Sequence, residues 1–154
     1  MRGEFWWVRW RPDGLDWAQR AAEETSPRQA GSCPGWADLP APEGARLIVS
    51  VPPEAVRVHT VALPTRSRAR FRAALPYALE DHLLHDPEAY HFAPLPKPRG
   101  QGPTTVAVVE RSRMDAWLDG TEGQGWRLRS LLPEYLTLAP PEPGVWQIDA
   151  SESP

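Results

Sequence analysis

The sequence predicts an α/β domain in which a mixed β-sheet carries flanking helices. Three observations predict it. Short β-branched, aromatic or otherwise apolar runs at residues 5–10, 46–51, 56–63, 104–109 and 126–132 read as strands. Two stretches, 67–83 and 112–118, carry apolar residues at helical spacing. The strands come first, and helix and strand then alternate, which is the order of a layered sheet-and-helix domain.

Residues 5–10 are rich in aromatic side chains, and residues 15–18 are a second short apolar run. Between them, Arg11-Pro12-Asp13-Gly14 has turn chemistry: Pro fixes φ and Asp-Gly accepts the tight geometry, so a hairpin is expected. Ser, Pro, Gly and Ala dominate residues 21–44, which predicts a long loop or crossover anchored by Trp36 and Leu39. Residues 46–51 form a nearly continuous apolar run, as in a buried strand. After Pro52-Pro53-Glu54, residues 56–63 alternate Val56, Val58 and Thr60 with Arg57, His59 and Val61, as in a half-covered one.

A helix beginning near Ser67 places Phe71, Ala74, Leu75, Ala78, Leu79 and Leu83 on one face. Pro76 removes a backbone donor and crowds the preceding turn, which predicts a kink or break at residues 72–75. Arg66, Arg68, Arg70 and Arg72 crowd the start of this helix, while Glu80, Asp81 and Asp86 lie towards its end. That distribution opposes the helix dipole, so it points to use rather than to stability.

Residues 89–93 read as a short strand, 94–103 as a Pro-rich tip without regular structure, and 104–109 as a buried strand. Ser112, with Asp115 three residues on, resembles a capping box opening a short helix. Met114, Trp117 and Leu118 of that helix face inward, and Gly120 and Gly123 end it. Residues 126–132 predict a strand, 133–138 one or two helical turns, and 145–148 a last strand.

Composition narrows the function. A length of 154 residues suits one domain, since domains commonly hold about 100–200 residues. The 19 prolines imply long irregular connections. A formal charge of −3 argues against a generic nucleic-acid binder, whose domain would be strongly basic. The one basic patch is local, the arginine run 66–72, which suits an acidic protein surface or plain solvation. A single cysteine, Cys33, excludes an internal disulfide and fits a reducing compartment. The apolar start MRGEFWWVRWR is too short and too charged for a signal peptide or membrane span, so a cytoplasmic piece is expected.

Candidate chemistry is sparse. His82 and His85 are three apart with His91, Asp81 and Asp86 nearby, and such a pair on a helix can hold a divalent metal. The signal is weak, and no metal is assigned. No P-loop occurs, and Gly100-Gln101-Gly102 lies in the Pro-rich tip rather than between a strand and a helix. No G-x-S-x-G occurs, Cys33 has no evident base, and the carboxylate pairs Glu80-Asp81 and Glu23-Glu24 read as solvated surface. No catalytic or cofactor-binding residue is assigned.

The order of motifs nevertheless carries a resemblance. Val58-His59-Thr60-Val61-Ala62-Leu63-Pro64 leads into the arginine-rich helix start, then Ala74-Leu75-Pro76-Tyr77-Ala78-Leu79-Glu80-Asp81-His82-Leu83 and His91-Phe92-Ala93. Val106-Ala107-Val108-Val109, Met114-Asp115-Ala116-Trp117-Leu118 and Leu131-Leu132-Pro133-Glu134 come next, with a Pro-rich segment before Trp146. This series resembles the cytoplasmic part of the type II secretion system protein L family, from about Leu47 onward; the first 45 residues match only loosely.

The resemblance implies a ribonuclease-H-like, actin-like subdomain over residues 1–144, with 145–154 the start of a truncated second subdomain or a disordered tail. It implies a scaffold rather than an enzyme, at the cytoplasmic face of the bacterial inner membrane and joined to the membrane through a segment absent from this chain. Implied partners are the N-terminal domain of the secretion ATPase (protein E), other inner-membrane secretion proteins such as protein M, and a second copy in a homodimer. Nucleic acid and cofactors are not implied. The acidic end of the central helix, Glu80, Asp81, Asp86 and Glu88, is the expected partner-facing surface.

The alternative is an actin-like ATP-binding module similar to the pilus-assembly protein M. Such a relative would carry a D-x-G-[ST]-like phosphate loop between its first two strands. Here residues 9–15 read Arg-Trp-Arg-Pro-Asp-Gly-Leu, with a single Gly and a Pro.

Overall fold

The computed structural model describes residues 4–22, 24, 26–65, 67–95 and 102–137. Its strands form two sheets. The first has the order β3-β2-β1-β4-β8, from β1 (Glu4–Arg11), β2 (Gly14–Ala21), β3 (Gln29–Cys33), β4 (Arg46–Val51) and β8 (Arg127–Pro133). The second has the order β5-β7-β6, from β5 (Val56–Val61), β6 (Tyr90–Pro94) and β7 (Thr104–Glu110). Helix α1 (Arg68–Leu79) joins β5 to β6, and α2 (Arg111–Thr121) joins β7 to β8.

The expected hairpin is present, with Arg11 opposite Gly14 and Glu4 opposite Ala21. Gly14 is required by a close approach, because a Cβ there would sit 2.7 Å from the Cys33 carbonyl oxygen. Along β1 the period-two alternation sends Trp6 and Val8 into the core. On its other face, Arg46 caps Phe5 at 4.7 Å and Arg20 caps Trp7 at 5.8 Å, so cations cover rings that face water. Strands β4 and β8 run parallel to β1, which makes the first sheet mixed as expected.

In β8 the register steps from Leu128 opposite Leu47 to Ser130 opposite Ile48. Arg129 is thus an extra residue, and the bulge lets Leu128 and Leu131, three apart, both pack on one core.

The first core gathers Trp6, Val8, Leu15, Leu47, Val49 and Val51 with Val109 of β7 and Trp117 of α2. The second gathers Val61, Leu75, Leu79, Tyr90, Val106 and Val108. A second, antiparallel sheet accompanies the mixed one, with β7 paired to β5 on one side and β6 on the other; periodicity identifies strands but not their partners.

Several expectations need correction. Residues 21–44 are not wholly loop, since Gln29–Cys33 adds an edge strand to β2. Trp36 and Leu39 do anchor the rest of this segment: Leu39 is buried in the first core, and Trp36 lies 6.2 Å from Trp126. Trp126 itself precedes β8 and donates its Nε1–H to the Ala41 carbonyl at 3.0 Å. On β5, Val61 is buried and His59 half-buried, whereas Val58 and Thr60 face outward.

The helix starting after Ser67 runs through Pro76 without a break but ends at Leu79 rather than Leu83, and Ala78 is exposed. The capping box is absent, because α2 begins at Arg111, with Ser112 already inside it and no side chain capping its start. Gly120 does not end α2 but lies within it. Glu134–Thr137 supplies the expected helical turn as a 3-10 turn, while residues 145–148 and most of the 94–103 tip lie outside the described residues.

Gly120 is the place where the Trp36 indole crosses α2, and a Cβ there would collide with that ring. In an open helix, Gly120→Ala would stabilise by about 1 kcal/mol. Against the indole it is predicted to destabilise by about 1–3 kcal/mol in urea unfolding. A gain in stability would show that Trp36 does not pack there.

Candidate docking surface

The segment from α1 to β6 holds the charges and histidines singled out in the sequence. Helix α1 opens where Ser67, in extended conformation, accepts the Arg70 backbone N–H on its hydroxyl at 3.4 Å. Leu75 and Leu79 fasten its inner side to the second core, leaving Arg70, Ala73 and Tyr77 exposed. After Leu79 the chain tightens into a 3-10 turn, Glu80–His82, and Leu83 packs back on the second core. Pro87, whose ring fixes φ and whose missing N–H is not needed at a first position, opens a second 3-10 turn, Pro87–Ala89.

Arg111 of α2 clasps this connection. Its Nε donates to the Glu88 carbonyl at 3.1 Å and its Nη2 to the Tyr90 carbonyl at 3.4 Å. Glu80, Asp81, Asp86 and Glu88 are all exposed along it, and none of the four makes an ion pair among the described residues. The last turn of α1 presents Tyr77 and the connection presents Leu84, 78% and 72% exposed. Large apolar side chains beside unpaired carboxylates suit a protein contact, in which the first supply buried area and the second steer approach. The acidic residues were legible as charge; Tyr77 and Leu84 were hidden in an apolar pattern that gives no sign of which residues remain uncovered.

The structure separates the histidines. Because α1 ends at Leu79, His82 and His85 do not share a helical face; His82 lies 5.5 Å from His59 of β5, and His85 stacks 6.4 Å from Tyr90. Among the described residues no group of three or more His, Cys, Asp or Glu is placed to hold a metal ion. His59 Nε2 is buried without a hydrogen-bond partner among the described residues. Burial foremost, with His82 and Arg57 adding to it, pushes its pKa below the ordinary value of 6.5. Burial and then Arg111 push His91 down, with Asp115 opposing.

Several charges elsewhere are engaged. In the β1–β2 hairpin, where a phosphate loop would lie, Arg11 Nη2 meets Asp16 at 3.2 Å, and its Nε lies 3.6 Å from Asp13. Next to it, Arg9 pairs with Glu134 at 2.8 Å. Glu23 lies outside the described residues, and Glu24 binds Arg28, which lowers its pKa. Burial, followed by the charge of Asp38, raises the pKa of Cys33, so this thiol is not an activated nucleophile.

Comparison with known proteins places this geometry. A family model described as type II secretion system, protein L matches residues 12–150. The type II secretion system protein L of Dickeya chrysanthemi is 37% identical over 90 residues, 58% of this chain and 22% of that protein. That of Klebsiella pneumoniae is 32% identical over 131 residues, 85% of this chain and 29% of that protein. The chain therefore spans less than a third of the length of either relative.

A solved structure, the cytoplasmic domain of EpsL, an inner membrane component of the type II secretion system of Vibrio cholerae, superposes with a TM-score of 0.71 at 26% identity. That match covers 91% of this chain and 61% of the other. A chain of the PilM–PilN type IV pilus biogenesis complex shares the fold at a TM-score of 0.57 and 13% identity, over 88% of this chain and 48% of that one. The fold is thus actin-like, as the resemblance implied.

The two histidines give a pH signature. With both folded-state pKa values depressed, the unfolded chain binds more protons below 6.5. The histidine contribution to stability is therefore complete above 6.5 and is lost as pH falls through the depressed values. The thermal midpoint is predicted to fall on acidification from this value, and less steeply in a His59→Gln/His91→Gln variant; equal slopes would show that these residues are not held neutral.

Proposed function

Because the chain belongs to the type II secretion system protein L family, we propose that it recruits the secretion ATPase, protein E, through that enzyme's N-terminal domain and positions it at the cytoplasmic face of the bacterial inner membrane. It does so as a scaffold, without catalysis of its own, within an assembly that includes inner-membrane secretion proteins such as protein M. The observation that carries this reading is the end of α1 and the exposed connection after it, where Glu80, Asp81, Asp86 and Glu88 make no ion pair among the described residues and Tyr77 and Leu84 are exposed.

The hairpin supports the scaffold reading over the ATP-binding one. Pro12 has no N–H to offer a phosphate, and Asp13 and Asp16 place two carboxylates where phosphate oxygens would have to approach. Calorimetry with Mg-ATP is predicted to give no saturable heat, and a saturable isotherm would favour the ATP-binding module.

Immobilised N-terminal domain of the cognate secretion ATPase is predicted to retain the complete cytoplasmic region. Asp86→Lys combined with Glu88→Lys, both at exposed positions, is predicted to weaken retention about tenfold or more. No retention of the unmodified protein would contradict recruitment, whereas full retention of the variant would move the contact off this surface.

A further inference from the structure

Each of the two sheets ends in two edge strands, and three of these four edges are blunted against a further strand. On β8 the bulge at Arg129 and the exposed Arg127 disrupt the edge, and Pro133 ends it without an N–H. Strand β6 ends on Pro94, and Arg111 already holds its Tyr90 carbonyl. Strand β5 presents the exposed Arg57 and has His82 only 5.5 Å from His59. Strand β3 differs. Its residues Gln29, Ala30, Gly31, Ser32 and Cys33 carry no charge and no proline, and Gln29, Ala30 and Ser32 are exposed.

The backbone of this edge is open. The Gln19 carbonyl accepts the Arg28 N–H at 2.8 Å, so Gln19 turns its backbone groups towards β3. Alternation along an antiparallel pair then points Gln29, Gly31 and Cys33 at β2 and points Ala30 and Ser32 outward. The outward N–H and C=O groups of these two find no partner among the described residues. Pro27 and Pro34 bracket the strand, which limits an added strand to about five residues, roughly 17 Å.

Side chains define what fits there. A Cβ at Gly31 would lie 2.9 Å from Cζ2 of Trp17, so the indole lies over the glycine and offers an apolar flank to the neighbouring side chain of an added strand. Both ends of the edge are acidic. At one end Arg28 is shared by Glu4 at 2.7 Å and Glu24 at 2.9 Å; at the other Arg11 is shared by Asp16 at 3.2 Å and Asp13 at 3.6 Å. One guanidinium for two carboxylates leaves each trio negative, and Asp38 adds its charge beside Cys33.

We propose that β3 takes up, as a sixth strand of the first sheet, an extended segment of a partner protein that is about five residues long, apolar beside Gly31 and basic at both ends. A second copy of β3 would bring an acidic end against an acidic end whichever way it ran. This edge does not rest on the recruitment reading, since it bounds the first sheet, whereas the connection after α1 packs on the second core.

Nuclear magnetic resonance titration of this chain at low salt tests it, with the end-blocked peptide Lys-Val-Thr-Val-Thr-Val-Lys as probe. The amide signals of residues 29–33 are expected to shift saturably. The peptide with Glu in place of both Lys is expected to bind about tenfold more weakly, with the difference shrinking as salt rises. Ala30→Pro, which removes an outward N–H, is expected to weaken the lysine peptide about tenfold while circular dichroism shows the fold unchanged. If the proline unfolds the chain, Ala30→Lys sets a like charge at an exposed position and is expected to weaken the same peptide. No saturable shift at residues 29–33, equal binding of the two peptides at low salt, or undiminished binding by a folded Ala30 variant overturns the proposal. So does concentration-dependent broadening of residues 29–33 without peptide, which would give the edge to a second copy.

Discussion

Strand β7 has two interiors to satisfy. Its Val106 and Val108 point into the core under α1, while Val109 points into the core shared with Trp117 and the first sheet, so neither face of the strand can be polar. That constraint explains why residues 104–109 read as a run of β-branched residues broken only by Ala107, rather than an alternating one. It also makes the molecule one body. Without β7, β5 and β6 would have no strand to pair with in their sheet, and the core under α1 would lose Val106 and Val108.

The docking surface depends on that arrangement. Because Leu75 and Leu79 are drawn down onto the second core, the arginines, Tyr77 and the carboxylates are turned outward. Because Arg111 extends from the start of α2 to the backbone of Glu88 and Tyr90, the acidic connection is held against the sheet rather than left loose. The first sheet plays a different part: its hairpin is closed on itself by Arg11 with Asp13 and Asp16, its Trp6 lies on Trp17, and its Trp10 meets Trp117 of α2 edge-on, which ties that helix to the sheet. A platform that presents exposed charge and the Tyr77 ring on one helix and the turn after it suits the proposed docking role.

Much of this was legible where one residue type dominates a run. The β-branched and aromatic strands, the hairpin at Pro12-Asp13-Gly14, the helix start near Ser67 and the anchors Trp36 and Leu39 all appear as expected. Strand β3 was not legible because Gln-Ala-Gly-Ser-Cys has little β preference of its own. Pairing with β2 holds it, with Arg28 bound to Glu4 and Glu24 at its start and Gly31 lying against Trp17. The split into two sheets was hidden because a strand's pattern records that a face is buried, not what buries it. Helix ends were misplaced where backbone geometry decides, at Leu79 and at Arg111, and this in turn produced a histidine pair that the fold takes apart. At the surface itself, the carboxylates could be read from sequence, but the clasp of Arg111 depends on a contact across 23 residues and could not.

Amide hydrogen exchange on the dilute chain, with and without the N-terminal domain of the secretion ATPase, tests the proposed docking surface most directly. Protection concentrated on residues 77–88, with the β1–β2 hairpin and the β3 edge unchanged, is the predicted result. Protection confined to the hairpin or to the β3 edge would contradict it.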